Sequence, residues 1–254
     1  GESGAGGDSA VQREGQLQGY KRLAGSQQMR ERLVQASCLR LTQPFVYCDS
    51  RLFQALDLHD ELEVSREGWG IELAVEGENA GPVEDNLVLH AAAEFLAAAG
   101  LPAKQQPGLR FRLRKRIPSG AGLGGGSSDA AATLRALDRL FPGALAPEPM
   151  ASVAARLGSD VPFFLAPSPL AIGRSRGEVL ESLTPLPSLP GLVMVPGVRI
   201  ETARAYRDLA LHRQGMPVSS GSSRPVPTSW EELAARAAND FEAVVPPQHP
   251  SVAE

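Results

Sequence analysis

The sequence predicts an α+β fold, and three observations support that prediction. Stretches with strand-like alternation and stretches with helical periodicity both occur, but they do not follow a regular βαβ rhythm. No internal repeat is present in the 254 residues. A glycine-rich segment over 118–128 joins a strand-like stretch to a helical one. Together these features favour α+β over a doubly wound parallel sheet.

The amino-acid composition and the net charge exclude several classes of protein. Hydrophobic residues make up 43% of the chain and charged residues 21%, a balance typical of folded domains in water. The net charge of −4 gives no reason to expect binding to nucleic acid or to an anionic membrane. No apolar run approaches the roughly 18 residues that span a bilayer. Cys38 and Cys48 are too few for a disulfide framework or a four-cysteine zinc site. We therefore predict a cytoplasmic, reduced protein whose fold needs no metal.

Periodicity predicts the elements from residue 51 onward. The segment 109–114 alternates strictly and carries one basic face, as an amphipathic strand does. Asn86 is placed to cap a helix, and Gly100 to close it. The predicted elements are a strand over 71–76, a helix from 87 to Gly100, a strand over 109–114, a helix that Ser127 or Ser128 caps and Pro142 ends, a buried strand over 192–195, a loop over 214–228 and a helix over 230–238.

The glycine-rich segment 118–128 is the strongest functional signal. Glycines let successive backbone N–H groups turn toward one point, and they leave out the Cβ atoms that would block a close approach. The N-terminus of the following helix adds unsatisfied donors and a partial positive charge. Ser127 and Ser128 add hydroxyls that could reach an oxygen or a magnesium ion. These features favour a phosphate-binding loop.

Besides a phosphate-binding loop of this kind, the segment 118–128 has three other interpretations: a P-loop, a dinucleotide-binding fingerprint and a flexible linker. A P-loop requires a lysine after the glycines, and none follows here. A dinucleotide fingerprint is present literally over 120–125, but the acid nearest the required spacing, Asp138, falls inside the predicted helix. A flexible Gly/Ser linker seldom joins a strand directly to a helix. The P-loop is excluded, whereas the dinucleotide site and the linker remain as less favoured alternatives.

The segment Lys115–Ala131 resembles the second signature of the GHMP kinases. Four further segments agree with that superfamily in order and spacing: 52–62, 85–88, 157–164 and 239–242. Within the superfamily, the chain most resembles the members that phosphorylate the 2-hydroxyl of 4-diphosphocytidyl-2-C-methyl-D-erythritol in non-mevalonate isoprenoid synthesis. The resemblance covers residues 51–254. It implies a two-domain fold, with an N-terminal domain like ribosomal protein S5 domain 2 and a ferredoxin-like C-terminal domain.

The resemblance also implies cofactors and site residues. ATP would donate its γ-phosphoryl group as a magnesium complex to this small-molecule substrate, with Asp160 as the catalytic aspartate and Ser128 at the metal. No nucleic acid or membrane partner is expected, and the chain would be a monomer or a weak homodimer. The residues implied for ATP binding are Lys115, Pro118, Ser119, Gly120, Ala121, Gly122, Leu123, Gly124, Gly125, Gly126, Ser127 and Ser128.

Two of these residues have plainer interpretations. Lys115 could be a solvated strand charge like its arginine neighbours. Asp160 could be a turn or capping residue. However, it lies between Gly158-Ser159 and the apolar stretch 161–164, where partial desolvation would raise its basicity. The motif therefore favours catalysis at Asp160.

Histidine and tryptophan add no candidate site. The four histidines are scattered, with no pair at metal-ligand spacing. Trp69 and Trp230 are expected to pack against the core rather than to stack on a base.

The chain departs from the superfamily pattern at both ends. The opening strand with its lysine, the Tyr-His pair and the third glycine-rich loop have no counterpart at the matching positions. We therefore expect an atypical segment over 1–50, disordered or misassigned, an ATP-binding domain over 51–166, and an incomplete C-terminal domain over 167–254. Two further hypotheses stay open: another GHMP small-molecule kinase, and an ATP-binding remnant without activity.

Overall fold

Two four-stranded sheets and six α-helices form the described part of the chain. A computed structural model describes residues 28–29, 38–42, 51–101, 108–174, 179–195, 197–198, 200–214, 226–236 and 239–252. The strands are β1 Gln28–Met29, β2 Cys38–Thr42, β3 Arg51–Ala55, β4 Glu61–Arg66, β5 Ile71–Gly77, β6 Leu109–Lys115, β7 Leu170–Arg174 and β8 Val179–Ser182. The helices are α1 Leu87–Ala98, α2 Gly125–Leu140, α3 Pro147–Leu157, α4 Val161–Leu165, α5 Thr202–His212 and α6 Trp230–Arg236. Short 3-10 turns lie at Val83–Asp85, Asp240–Ala243 and Pro250–Val252.

The first sheet has the strand order β1-β4-β6-β5. β5 runs parallel to β6, and the other pairs are antiparallel. Alternation along β6 buries every second side chain from Leu109 to Lys115 and exposes the three arginines between them. On the exposed face Arg110 pairs with Glu72 at 3.1 Å. The period-two pattern therefore places β6 as predicted, with its apolar face toward the helices.

The helices α1 and α2 pack against this sheet, α3 packs on both of them, and α4 packs on α2 and α3. The Asn86 side chain accepts a hydrogen bond from the backbone N–H of Val88 at 3.0 Å, so the predicted N-cap of α1 is confirmed. Leu134 and Leu137 on α2 have no exposed surface and join the main core. The predicted helices over 87–100 and from the loop to Pro142 are therefore confirmed, as is the mixed α/β content.

The second sheet has the order β2-β3-β7-β8 and is antiparallel throughout. The predicted domain boundaries at 50/51 and 166/167 separate strands that pair with one another here. β2 also lies within the segment 1–50, where no strand was predicted. Most of that segment lies outside the described residues, as do residues 215–225 of the predicted loop. At five residues, β2 is too short for its periodicity to stand out in the sequence.

Two expectations about burial are wrong. The predicted buried strand over 192–195 has no regular structure, and the side chain of Leu192 is 87% exposed. No described strand pairs with it, and an extended segment without a sheet partner has no surface on which to bury its side chains. Trp69 is 81% exposed, so it does not pack. Trp230 does pack, beside Leu233, and its indole N–H donates to the carbonyl of Pro187 at 2.6 Å.

The predicted C-terminal helix over 230–238 is confirmed from Trp230 to Arg236, and its last two predicted residues lie outside the described ranges. None of the helices in the described ranges has the length and apolar character that crossing a membrane requires.

A matched pair of leucine substitutions tests this burial. Leu137→Ala leaves a cavity in the main core and should lower the free energy of unfolding by about 2–5 kcal/mol. Leu192→Ala removes an exposed side chain and should change it by less than about 0.5 kcal/mol. Urea unfolding followed by circular dichroism measures both values. A loss above about 2 kcal/mol for Leu192→Ala would mean that the segment 192–195 is buried after all.

Candidate active site

The glycine-rich loop connects the end of β6 to the first turn of α2. Gly120, Gly122 and Gly124 have φ angles of +76°, +74° and +72°, in the left-handed region that glycine adopts most easily. Gly124 is itself the N-cap of α2, and no side chain caps the helix. The N-terminal N–H groups of α2 are therefore left without a side-chain acceptor, which is the arrangement that binds anions.

The two serines do not cap the helix as predicted. α2 begins at Gly125, so Ser127 and Ser128 lie inside its first turn. Ser128 has no exposed surface, and its hydroxyl donates to the carbonyl of Gly125 at 2.8 Å. A buried hydroxyl bonded to its own helix does not fit a magnesium ligand. Ser127 is partly exposed in the first turn of α2.

Lys115 is buried in a cluster with two aspartates. Its ammonium group donates to Asp129 Oδ2 at 2.8 Å and also to Asp60 Oδ2. The side chains of Lys115, Asp60 and Asp129 are 3%, 2% and 4% exposed, so the solvated-strand interpretation of Lys115 is wrong. A buried ammonium requires such partners because leaving water costs several kcal/mol per ion.

Asp60 also holds the backbone at the start of the loop. Its Oδ1 atom accepts the N–H of Arg116 at 2.6 Å and that of Ile117 at 2.9 Å. Asp60 precedes β4, and Arg116 and Ile117 follow β6, so this carboxylate links two neighbouring strands. It fixes the two residues that immediately precede Pro118.

The surroundings of the cluster shift the pKa values of Asp129 and Lys115. Burial raises the pKa of Asp129 most strongly, the Lys115 charge lowers it and the nearby Asp60 carboxylate raises it again, which leaves it at about 7. Burial by itself lowers the pKa of Lys115, but the two carboxylates outweigh that effect and raise it above its ordinary value. One ammonium between two carboxylates explains both directions, because one buried negative charge would otherwise be uncompensated.

Asp160 lies at the N-cap of α4, and 6% of it is exposed. The Ser159 hydroxyl donates to Asp160 Oδ1 at 3.3 Å. Phe163 stacks on Phe53 of β3 with ring centroids 5.0 Å apart, which anchors α4 to the second sheet. The predicted desolvation of Asp160 is therefore present in the structure.

The loop and the Asp160 segment meet at Gly158. A Cβ atom built on Gly158 would lie 3.9 Å from Ser127 Oγ. The segment 158–160 therefore runs beside the first turn of α2. The structure therefore brings Gly158, two residues before the predicted catalytic aspartate, next to Ser127 at the end of the glycine-rich loop.

The sequence alone assigns no role to Asp60 or Asp129. A signal for them was present, because strict alternation from Leu109 through Phe111 and Leu113 places Lys115 on the buried face. A buried lysine requires an acidic partner. The sequence does not say which of its many acids supplies that partner.

Among the described residues, no group of three or more histidine, cysteine or acidic side chains could hold a metal.

Comparison with known proteins agrees with this geometry. Residues 86–167 match the family model of the GHMP kinases N terminal domain. The chain is 39% identical to a 4-diphosphocytidyl-2-C-methyl-D-erythritol kinase from Solibacter usitatus, covering 80% of this chain and 64% of the relative. It is 40% identical to the enzyme of that name from Pelotomaculum thermopropionicum, covering 80% and 70%. The chain thus spans about two thirds of the length of these relatives.

Comparison with solved structures indicates the same family of kinases. A crystal structure of 4-(cytidine 5'-diphospho)-2C-methyl-D-erythritol kinase superposes with a TM-score of 0.68 at 34% identity, covering 89% of this chain and 80% of that one. Leishmania major mevalonate kinase, at 16% identity and a TM-score of 0.50, shares the fold. Fold and loop together define the class as a GHMP kinase. Within that class, the chain belongs to the 4-diphosphocytidyl-2-C-methyl-D-erythritol kinase family.

Adjacent glycines at the start of α2 offer a first test of the site. A Cβ on Gly125 would lie 3.0 Å from Ile117 Cγ2 and 3.2 Å from Lys115 Nζ, and both neighbours are buried and held in place. Gly125→Ala should therefore lower the free energy of unfolding by about 1–3 kcal/mol. At Gly126 a Cβ would meet Leu87 Cδ1 at an ordinary 3.5 Å, so Gly126→Ala should be neutral or stabilising by up to about 1 kcal/mol. Urea unfolding without ATP measures both, and equal effects would contradict the tight packing at Gly125.

The raised pKa of Asp129 predicts a pH dependence of stability. Between its ordinary value of 3.8 and about 7, the folded protein holds a proton that the unfolded chain has lost. This group therefore makes the free energy of unfolding fall as the pH rises through that window, by at most about 1.4 kcal/mol per pH unit.

Asp129→Asn keeps the shape of the side chain and cannot ionise, so it should remove this contribution. Denaturant unfolding at pH values from 4 to 8 measures the slope, with the exposed Asp138→Asn on the same helix as control. If Asp129→Asn and the native chain have the same slope, the aspartate does not hold a proton in this range.

Proposed function

We propose that this chain transfers the γ-phosphoryl group of ATP to the 2-hydroxyl of 4-diphosphocytidyl-2-C-methyl-D-erythritol, a step in the non-mevalonate synthesis of isoprenoid precursors. The single observation that carries the proposal is the closeness of Gly158, two residues before the buried Asp160, to Ser127 at the start of α2. It supports a site in which this carboxylate acts next to an anion-binding loop. The names of the relatives indicate the substrate.

The loop would hold the phosphates of ATP. Residues 119–127 would supply backbone N–H donors around three left-handed glycines, and α2 adds the positive end of its dipole. Phosphoryl transfer depends mainly on positioning and on charge stabilisation, and fixed backbone donors provide both. Lys115 lies next to Gly125 at the end of the loop, and its ammonium donates to two aspartates.

Asp160 would act on the acceptor alcohol. The hydroxyl oxygen forms a bond to the γ-phosphorus, the bond from that phosphorus to the β,γ-bridging oxygen breaks, and ADP leaves. The hydroxyl proton passes to the carboxylate of Asp160. Burial at 6% exposure supports this role, because a carboxylate with little surrounding water can accept a proton directly from the alcohol.

Magnesium would enter the site together with ATP, because Mg²⁺ binds mainly through the phosphates of the nucleotide. The described residues offer no cluster of ligands for it, and Ser128 does not fit as one. We therefore assign no residue of this chain to the metal.

The finer architecture belongs to the same proposal. We assign the region 51–166 to a domain like ribosomal protein S5 domain 2 and the region 167–254 to a ferredoxin-like domain, with residues 1–50 as an atypical segment. The pairing of β3 with β7 would then connect the two domains through one sheet. A monomer or weak homodimer in the cytoplasm, without a nucleic-acid or membrane partner, is consistent with the net charge of −4.

An ADP-release assay tests the proposal. Magnesium-ATP with 4-diphosphocytidyl-2-C-methyl-D-erythritol should give substrate-dependent ADP, and Asp160→Asn should lower kcat by at least about 100-fold because it removes the proton acceptor. Asp138→Asn, an exposed carboxylate on α2, is the matched control and should leave kcat within twofold.

The other results have definite meanings. ADP release with mevalonate or homoserine instead would support another GHMP kinase. ATP binding by a folded chain without turnover of any of the three alcohols would support a remnant without activity. Unchanged turnover in Asp160→Asn would contradict the role of Asp160.

A further inference from the structure

The buried cluster of Lys115, Asp60 and Asp129 spans both ends of the glycine-rich loop. Asp60 binds the backbone N–H groups of the two residues before the loop. Lys115 links Asp60 to Asp129, which is the fifth residue of α2. One continuous chain of hydrogen bonds therefore runs from the end of β6, beneath the loop, to the helix that follows it.

We propose that Asp60 is a positioning residue for ATP binding: it fixes the entry and the exit of the loop relative to each other. This inference rests on the proposed function, since it takes the bound ligand to be the triphosphate of ATP. Asp60 touches no phosphate in this role. It acts through the backbone of Arg116 and Ile117 and through the ammonium of Lys115.

The geometry makes Asp60 the central member of the cluster. Its carboxylate uses one oxygen for two backbone donors and the other for Lys115, so a single side chain holds three groups from the loop's entrance. The side chains of Asp60, Lys115 and Asp129 are only 2–4% exposed, so water does not compete for the hydrogen bonds between them. Immediately afterwards, Pro118 restricts the backbone φ angle. The loop thus leaves β6 in one fixed direction.

Glycine at position 125 is part of the same arrangement. A Cβ there would lie 3.2 Å from Lys115 Nζ, so the first residue of α2 packs against the ammonium itself. The distance between the two loop ends is therefore set by the cluster and by this contact together. A loop whose ends are fixed before ATP arrives loses less conformational entropy on binding, and this strengthens the binding.

This arrangement distinguishes positioning from direct contact for Lys115. Its ammonium donates to two carboxylates beneath the loop rather than toward solvent. In our inference Lys115 is therefore the bridge through which Asp60 reaches α2. Removing the Asp60 carboxylate should weaken the binding of ATP and leave the binding of the acceptor alcohol unchanged.

The test uses the full chain and magnesium-ATP titrated by calorimetry. Asp60→Asn replaces an acceptor by an amide donor that faces the Lys115 ammonium, so the Kd for ATP should rise at least tenfold. The KM for the alcohol should stay within twofold, a split that general loss of structure would not produce.

Two control variants separate positioning from other effects. Glu61→Gln breaks the exposed pair with Arg116 at the next residue and should leave the Kd for ATP within twofold. Leu96→Ala removes a buried side chain of α1, 3% exposed, and should lower the unfolding midpoint while the Kd stays within twofold. If Asp60→Asn changes the Kd no more than these controls do, the proposal is wrong.

A double variant tests the bridge. In Asp60→Asn with Lys115→Gln, the new amides can hydrogen-bond to each other and to Asp129, so part of the lost ATP affinity should return. If the double variant binds ATP more weakly than both single variants, Lys115 contacts the nucleotide directly and the inferred bridge is wrong.

Amide hydrogen exchange gives a readout that does not need ATP. The amides of residues 119–128 should exchange faster in Asp60→Asn than in Glu61→Gln. If the native chain binds no ATP but this difference appears, the proposed function fails while the hold of Asp60 on the loop is confirmed. If neither exchange nor ATP affinity responds to Asp60→Asn, the inference itself is overturned.

Discussion

Burial of the Lys115 ammonium between two carboxylates is the interaction on which the site depends. The desolvation of a buried ion costs more than any single hydrogen bond returns, so the arrangement persists only while its partners are in place. Asp60 meets this condition by accepting two backbone N–H groups as well as the lysine. Removing Lys115 would leave two buried carboxylates without a compensating charge.

The cluster determines where the loop starts and where α2 begins. Because Lys115 ends β6 and Asp129 lies in α2, the glycines between them connect two fixed points. Left-handed φ angles at Gly120, Gly122 and Gly124 then turn the chain over this short distance. The result is a helix N-terminus without a side-chain cap, held ready for an anion.

A second anchor holds the carboxylate that would act on the alcohol. Stacking of Phe163 on Phe53 attaches α4 to the second sheet, and Gly158, just before Asp160, lies next to Ser127. The first sheet therefore supports the loop and the second supports Asp160. Their relative position depends on the packing of α4 against α2, both of which contribute side chains to the main core.

Elements with a strong sequence pattern were predicted correctly. Strict alternation identified β6, the Asn86 cap and helical spacing identified α1, and the glycine-rich motif identified the family. The sequence failed where a residue's environment comes from another part of the chain. The segment 192–195 has the composition of a buried strand, yet without a strand partner among the described residues Leu192 is exposed.

The tertiary structure alone decided the surroundings of Lys115. In the sequence it is one of several basic residues in a row, and its two partners lie 55 and 14 residues away. Local pattern gives the face of a strand, since side chains alternate with the backbone. It does not give the identity of the acids across that face, because strand pairing and helix packing select them. For the same reason, the motif named Asp160 and the loop separately, whereas only the packing of α4 on α2 brings them together.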